Sequence, residues 1–257
     1  MYLSAYADHI YPLLMVATRI SAVFILAPVY GSTLIPRQVK LAILVMLTGV
    51  MHFGFSVGMD YSQTDNAVIL LDIVREFLVG AGMGLVVQTI FTAIGFAGAI
   101  IAPQMGLAIS QLIDPQTESM QPVLSTFLNL VGVLFFLAVN GHLMIIEALF
   151  QSYKLLPIGR FELTGPFVDA LMATGSEMFI IAFKLSAPVL AVIIFLNVGM
   201  ALMARIVPQV HVIVVGFIVT IAVGMLIMAL VTPAMAPYLK EVVVDAVGRM
   251  LWLLKTV

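Results

Sequence analysis

Six ionisable side chains sit inside otherwise apolar stretches of the sequence: Arg19, Asp72, Arg75, Glu76, Glu147 and Lys184. A charge in an apolar helix is expensive, so each needs a partner or a task. Asp72, Arg75 and Glu76 follow one another at i, i+3 and i+4, which places all three on one helix face. Such a face can neutralise itself, with Arg75 or its neighbours pairing locally, or it can meet another subunit; spacing alone leaves both open. Lys184 lies seven residues after Glu177, two turns along the same face, and favours pairing between helices or subunits over a transport role. Arg205 opens a tight turn, Arg205–Gln209. Asp72, Arg75, Glu76, Glu177, Lys184 and Arg205 are therefore the candidate subunit contacts.

Catalysis finds little support. His9, His52, His142 and His211 are scattered, none forms an HExxH pair, and there is no cysteine to join them in a metal site. No GxSxG surrounds any serine, and no GxxxxGK[ST] loop can cradle a phosphate. Asp72 and Asp114 lack the context of a paired-aspartate protease. The expectation is a protein without enzymatic activity, cofactor or metal. With a net charge of −2 and no basic stretch interleaved with aromatics, nucleic acid is not an expected partner.

The elements that must carry these residues are membrane helices. Hydrophobic residues make up 63% of the 257-residue chain and charged ones 9%, against about 45–50% and 25% in soluble domains. The expected fold is all-α, a polytopic membrane protein in one domain. Clear apolar runs cover Ile10–Tyr30, Val39–Val57, Val123–Phe150, Met178–Met203 and Val210–Met235. The first reads as a retained helix, not a signal peptide, because no Lys or Arg precedes it. Residues 68–113 are apolar but interrupted by glycines and Pro103, and are read as a helix near Leu70–Ile101 followed by an irregular segment. Gly80, Gly82 and Gly84 give that helix small residues for close packing. Lys and Arg are so evenly spread over the loops that the positive-inside rule gives little orientation. The helices are thus not expected to sit as ordinary spans. A broken segment at Gly95–Pro115 would suit a secondary transporter, the alternative reading, but no second copy of it occurs.

The segment Gln104–Gln121, QMGLAISQLIDPQTESMQ, is the most informative non-helical stretch. Residues preceding a proline leave the helical region, so Asp114 and Gln121 end or interrupt helices. Leu107–Ile113 is apolar yet too short to span. A re-entrant plug and a short interfacial helix are both compatible with that pattern.

Several short motifs in order along the chain carry a resemblance: Pro36-Arg37-Gln38-Val39-Lys40-Leu41, Gln104-Met105-Gly106-Leu107 with Asp114-Pro115, Asn140-Gly141-His142-Leu143, Leu156-Pro157-Ile158-Gly159, and Pro208-Gln209 with Gly216-Phe217 and Gly224. On these the chain resembles the FliR family of flagellar export-gate proteins, whose injectisome counterparts belong to the same type III secretion family. The resemblance covers nearly the whole chain. It implies one copy in a gate built with several copies of FliP and FliQ and joined by FlhB, at the bacterial inner membrane in the flagellar basal body. The gate conducts unfolded flagellar proteins and lies largely above the membrane plane. The resemblance also implies a FliP-like part over about 1–165 and a FliQ-like hairpin and tail over about 168–257. Finally, it implies a pore plug formed by Gln104, Met105, Gly106, Leu107, Ala108, Ile109, Ile113, Asp114 and Pro115. One departure stands out: family members commonly carry a Glu and a Gly just before the QMG motif, where this chain has Ala99 and Ala102.

Overall fold

The computed structural model describes residues 2–31, 36–54, 66–107, 123–206 and 212–256. Among them every regular element is a helix: α1 (Tyr2–Leu26), α2 (Pro28–Gly31), α3 (Arg37–Gly54), α4 (Asn66–Gln104), α5 (Val123–Ala138), α6 (Gly141–Leu155), α7 (Gly165–Ile206), α8 (Val212–Ala234) and α9 (Ala236–Lys255). Ala108, Ile109, Ile113, Asp114 and Pro115 of the expected plug, and Pro208 and Gln209 of the expected turn, lie outside the described residues.

The helix read near Leu70–Ile101 is α4, which reaches Gln104. Three differences from the sequence reading have physical causes. The run Val123–Phe150 is two helices, α5 and α6, bent by 65°, because Asn140 takes the left-handed conformation (φ 59°) between them. Asparagine tolerates that conformation better than any residue but glycine. Helix α7 begins at Gly165, well before Met178. Thr164 caps it, its Oγ1 accepting the Phe167 N–H at 3.3 Å, and Pro166 suits the first turn. Helix α9 was not among the apolar runs. It is amphipathic: Leu239, Val242, Val243, Ala246, Met250 and Leu253 are buried at helical spacing, with Lys240, Glu241 and Asp245 exposed between them. Hydropathy finds apolar runs, and both missed stretches are helices interrupted by charge.

Helices α4 and α7, with 39 and 42 residues, are about 58 and 63 Å long at 1.5 Å per residue. A hydrocarbon core is about 30 Å thick, so neither helix is a simple span. Among the described residues, three helical stretches are long and apolar enough to cross a membrane, Ala67–Gln104, Gly165–Ile206 and Gly216–Ala234, with the bent α5–α6 pair a fourth. The chain is an all-α polytopic membrane protein.

Two compact units share these helices. The first comprises Met1–Thr89, Asn140–Gly175 and Val243–Val257; the second comprises Ile90–Val139 and Ser176–Val242. Each draws on both sides of residue 165. In the first unit Met15, Val16, Ile20 and Val23 of α1 and Val79, Met83 and Val86 of α4 are buried. Gly80 and Gly84 let α1 and α4 approach backbone to backbone: a Cβ at Gly80 would collide with the Arg19 carbonyl and stand 2.8 Å from Ala22 Cβ, and one at Gly84 would stand 2.8 Å from Leu26 Cβ. Gly82 points elsewhere, at Phe167 and Leu253. In the second unit Ile101, Ala102, Met105, Leu124, Val189, Ile193 and Met228 form one buried apolar cluster.

The α1–α4 contact gives a direct test. Gly80→Val drives side-chain atoms against a backbone carbonyl that cannot yield, and overpacking costs about 1–3 kcal/mol. Gly175→Ala meets nothing within 4 Å and gains up to about 1 kcal/mol of helix propensity. Thermal melting of the detergent-solubilised chain should show the first variant lowered and the second equal to or above the parent. Equal melting of both would refute backbone contact at Gly80.

Candidate functional site

Two places bring the singled-out residues together. The first is the C-terminal end of α4, in the second unit. The Gly106 N–H donates to Pro103 O at 3.0 Å and the Leu107 N–H to Ala102 O at 3.0 Å. With Gly106 at φ +82°, this is a Schellman cap: a left-handed residue after the helix lets two amides return to otherwise unpaired carbonyls. Gln104-Met105-Gly106-Leu107 is therefore a helix stop first. Glycine is required twice over, by the positive φ and because a Cβ there would lie 2.5 Å from Phe217 Cδ1.

Helix α8 receives this cap. Met105 is fully buried and packs on Gly224, where a Cβ would stand 2.7 Å from the Met105 Cε. The Thr220 hydroxyl shares its proton between Met105 O at 3.3 Å and Gly216 O in its own helix at 3.0 Å. Leu107 packs against the apolar cluster of this unit. Gln104 is exposed and lines, with Pro103, Asn197, Met200, Phe217 and Thr220, a cavity of about 360 Å³ beside the cap. The residues Gly216-Phe217 and Gly224, noted in the sequence only as parts of a motif, thus line the face of α8 on which α4 ends.

The second place is a buried charge cluster in the first unit. Arg19 and Glu76 are both inaccessible and pair through Nε and Oε2 at 2.6 Å. Arg19 Nη1 also donates to Ser152 Oγ at 3.2 Å and Leu156 O at 3.1 Å, and Nη2 donates to Leu156 O at 3.1 Å. Its guanidinium carbon lies 4.2 Å from the Tyr153 ring centroid. Glu76 Oε1 accepts the Gly159 N–H at 3.1 Å. Arg75 Nη1 donates to Asp72 Oδ1 at 3.0 Å and to Gly159 O at 3.2 Å, and Asp72 Oδ2 accepts the Tyr11 hydroxyl. Two cations balance two carboxylates, so the cluster is formally neutral. Leu156-Pro157-Ile158-Gly159 is the turn that this cluster grips. The Arg160 N–H returns to Pro157 O at 3.3 Å, and Gly159 sits at φ +75°, as the third position of a type II turn demands.

The shared face of Asp72, Arg75 and Glu76 is thus spent largely inside the chain, with Asp72 and Glu76 buried and Arg75 about one-third exposed. The sequence left Arg75 either a local partner or another subunit, and within the chain it pairs with Asp72. It offered no partner for Arg19, whose contacts lie 57 to 137 residues away. Of the other candidates, Lys184 is exposed with Nζ 5.4 Å from the Tyr238 ring centroid. Glu177 is half-buried and Arg205 exposed at the end of α7. Glu147 is exposed and accepts the Gln151 side-chain amide at 3.2 Å. Among the described residues no group of His, Cys, Asp or Glu is arranged to hold a metal ion.

Comparison with known proteins matches residues 10–246 to the family described as bacterial export proteins, family 1. The flagellar biosynthetic protein FliR of Escherichia coli (strain K12) is 32% identical over 238 residues, 91% of this chain and 87% of that protein. The protein of the same name from Bacillus subtilis (strain 168) is 32% identical over 206 residues, 79% of each chain. That from Aquifex aeolicus (strain VF5) is 31% identical over 206 residues, 79% of this chain and 78% of its own. The match runs through the α4 cap, the buried charge cluster and the α8 stripe alike, and this chain belongs to the bacterial export proteins, family 1, the FliR family.

Proposed function

We propose that this chain is a structural subunit of the flagellar type III export gate. It lies at the bacterial inner membrane, in the flagellar basal body, with several copies of FliP and FliQ and with FlhB. Together they surround a channel for unfolded flagellar proteins, and this subunit carries out no chemistry of its own. The relatives' shared name, flagellar biosynthetic protein, supports the setting. The observation that carries the reading is the seating of Met105 and Gly106 on Phe217, Thr220 and Gly224. It gives the segment running from Gly106 to Pro115 a fixed root at the end of a long helix.

A channel wide enough for an unfolded chain needs an obstruction when idle, or ions leak through it. Gly106, Leu107, Ala108, Ile109 and Ile113 are small or apolar, suited to filling a lumen without gripping cargo. Asp114 and Pro115 end the segment. The lengths of α4 and α7, and the exposed Phe195, Val198, Leu202 and Ile206 along α7, suit an assembly in which partner helices cover what a bilayer does not. Arg75, with Glu177 and Lys184, supplies polar contacts to those partners.

Four outcomes are expected. Native mass spectrometry of the chain expressed beside its genomic neighbours should find one copy within a complex of FliP-like and FliQ-like subunits. A stable lone chain that binds a small solute saturably would instead favour a transporter. Deleting Gly106–Ile113 should leave the complex assembled and raise ion leakage in cells. Gly224→Leu, which removes the seat of Met105, should change leakage in the same direction by a smaller amount. Wild-type leakage in the deletion would end the plug assignment. Arg75→Glu should lower the yield of complex more than it lowers the amount of the chain expressed alone, and an equal fall in both would mean that this face serves only the chain itself.

A further inference from the structure

We infer that Arg19 and Glu76 form a positioning latch for the turn Leu156–Arg160, and that the geometry of the pair, not its charge alone, sets the turn. Every side-chain nitrogen and oxygen of the pair has a partner. The Arg19 fork reaches Glu76 on one side and the Leu156 carbonyl, through two nitrogens, on the other. Glu76 uses one oxygen for Arg19 and the other for the Gly159 amide. Arg75 then takes the Gly159 carbonyl. Both backbone groups of Gly159 are therefore held by α4, and the Leu156 carbonyl by α1, so one turn is fixed from two helices. A turn closed only by its own Arg160-to-Pro157 bond would be far easier to open.

Arginine is needed for this arrangement. A lysine at position 19 keeps the charge as a single point, and cannot serve Glu76, Ser152 and Leu156 from one plane while stacking on Tyr153. At position 76 a glutamine keeps an oxygen for the Gly159 amide and loses the charge offered to Arg19; an alanine loses both. Losing a hydrogen bond to a charged group shifts a local opening equilibrium by about 10- to 100-fold.

Trypsin reads this opening in native membranes, because Arg160 is exposed within the turn and Arg205 is exposed in the other unit. Cutting is followed on tagged full-length chain co-expressed with its neighbours, and rates are taken per chain so that yield does not enter. Arg19→Lys and Glu76→Ala should raise the rate of cutting after Arg160 at least about tenfold, Glu76→Gln by a smaller factor than Glu76→Ala because it keeps an acceptor for the Gly159 amide, with cutting after Arg205 unchanged in all three. The latch is overturned by wild-type cutting after Arg160 in Arg19→Lys and Glu76→Ala. It is equally overturned if both sites accelerate together, which would mean general loosening, or if Glu76→Gln matches Glu76→Ala. None of these outcomes depends on leakage or export, so the latch and the gate reading stand or fall separately.

Discussion

A chain this apolar must settle its own backbone hydrogen bonds wherever it turns, because little water is at hand to do so. Within a helix the ladder settles them automatically. The demand concentrates at helix ends, and at four places in the described structure it is met by internal means. Helix α4 stops in a Schellman cap at Gly106. Helices α5 and α6 change direction through a left-handed Asn140, whose carbonyl starts the next helix by accepting from Leu143 and Met144. Pro36 does the same for Val39 and Lys40 at the start of α3. The turn after α6 hands both polar groups of Gly159 to charged side chains.

The last of these solutions explains the buried charges. Taking Arg19 and Glu76 out of water is unfavourable, and their mutual attraction offsets it only because the remaining protons and lone pairs are also matched. The matching groups are the Ser152 hydroxyl, which also donates to Leu149 O, and the Leu156 carbonyl and Gly159 amide, which would themselves be unsatisfied in an apolar interior. Each side solves the other's problem. Removing one partner of such a pair typically costs about 3–5 kcal/mol, a large part of the stability of most domains. The second unit needs no such device: the described parts of α5, of α7 between Lys184 and Arg205, and of α8 carry no charge, and the α4 cap there uses backbone and glycine alone.

This division decides what the sequence could reveal. The common face of Asp72, Arg75 and Glu76 follows from helical spacing and needed no structure. The membrane class follows from composition. The α7 start could have been found at Thr164-Gly165-Pro166 by capping rules, and α9 by its buried stripe at three- and four-residue spacing, had periodicity been weighed above mean hydropathy. The bend at Asn140-Gly141 carries a familiar left-handed signal, but the apolar run on either side hid it. The Arg19–Glu76 pair was beyond any local rule, because its members are 57 residues apart and its other acceptor 137. The seat of Met105 was hidden for the same reason: shape complementarity between a methionine and a glycine 119 positions later leaves no periodic trace.

Helix α8 shows how such long-range complementarity fixes a helix end. Its inner face carries Phe217, Thr220, Gly224 and Met228, spaced so that the first three meet the α4 cap and the last joins the buried cluster. Its outer face exposes Ile218, Met225, Leu226 and Leu230, apolar residues with no side-chain detail to match. One face is therefore specified atom by atom and the other only by hydrophobicity. The cap is held to α8 by contacts that all depend on one distance: the Met105 fit on Gly224, the Thr220 hydroxyl and the Phe217 ring. Drawing α8 away by a little more than a methyl radius would loosen all three together, because dispersion contacts fall off steeply with separation and a hydrogen bond already at 3.3 Å has no reach to spare. A helix end held in this way has three contacts that strengthen or weaken together, which suits the root that the proposed plug would need.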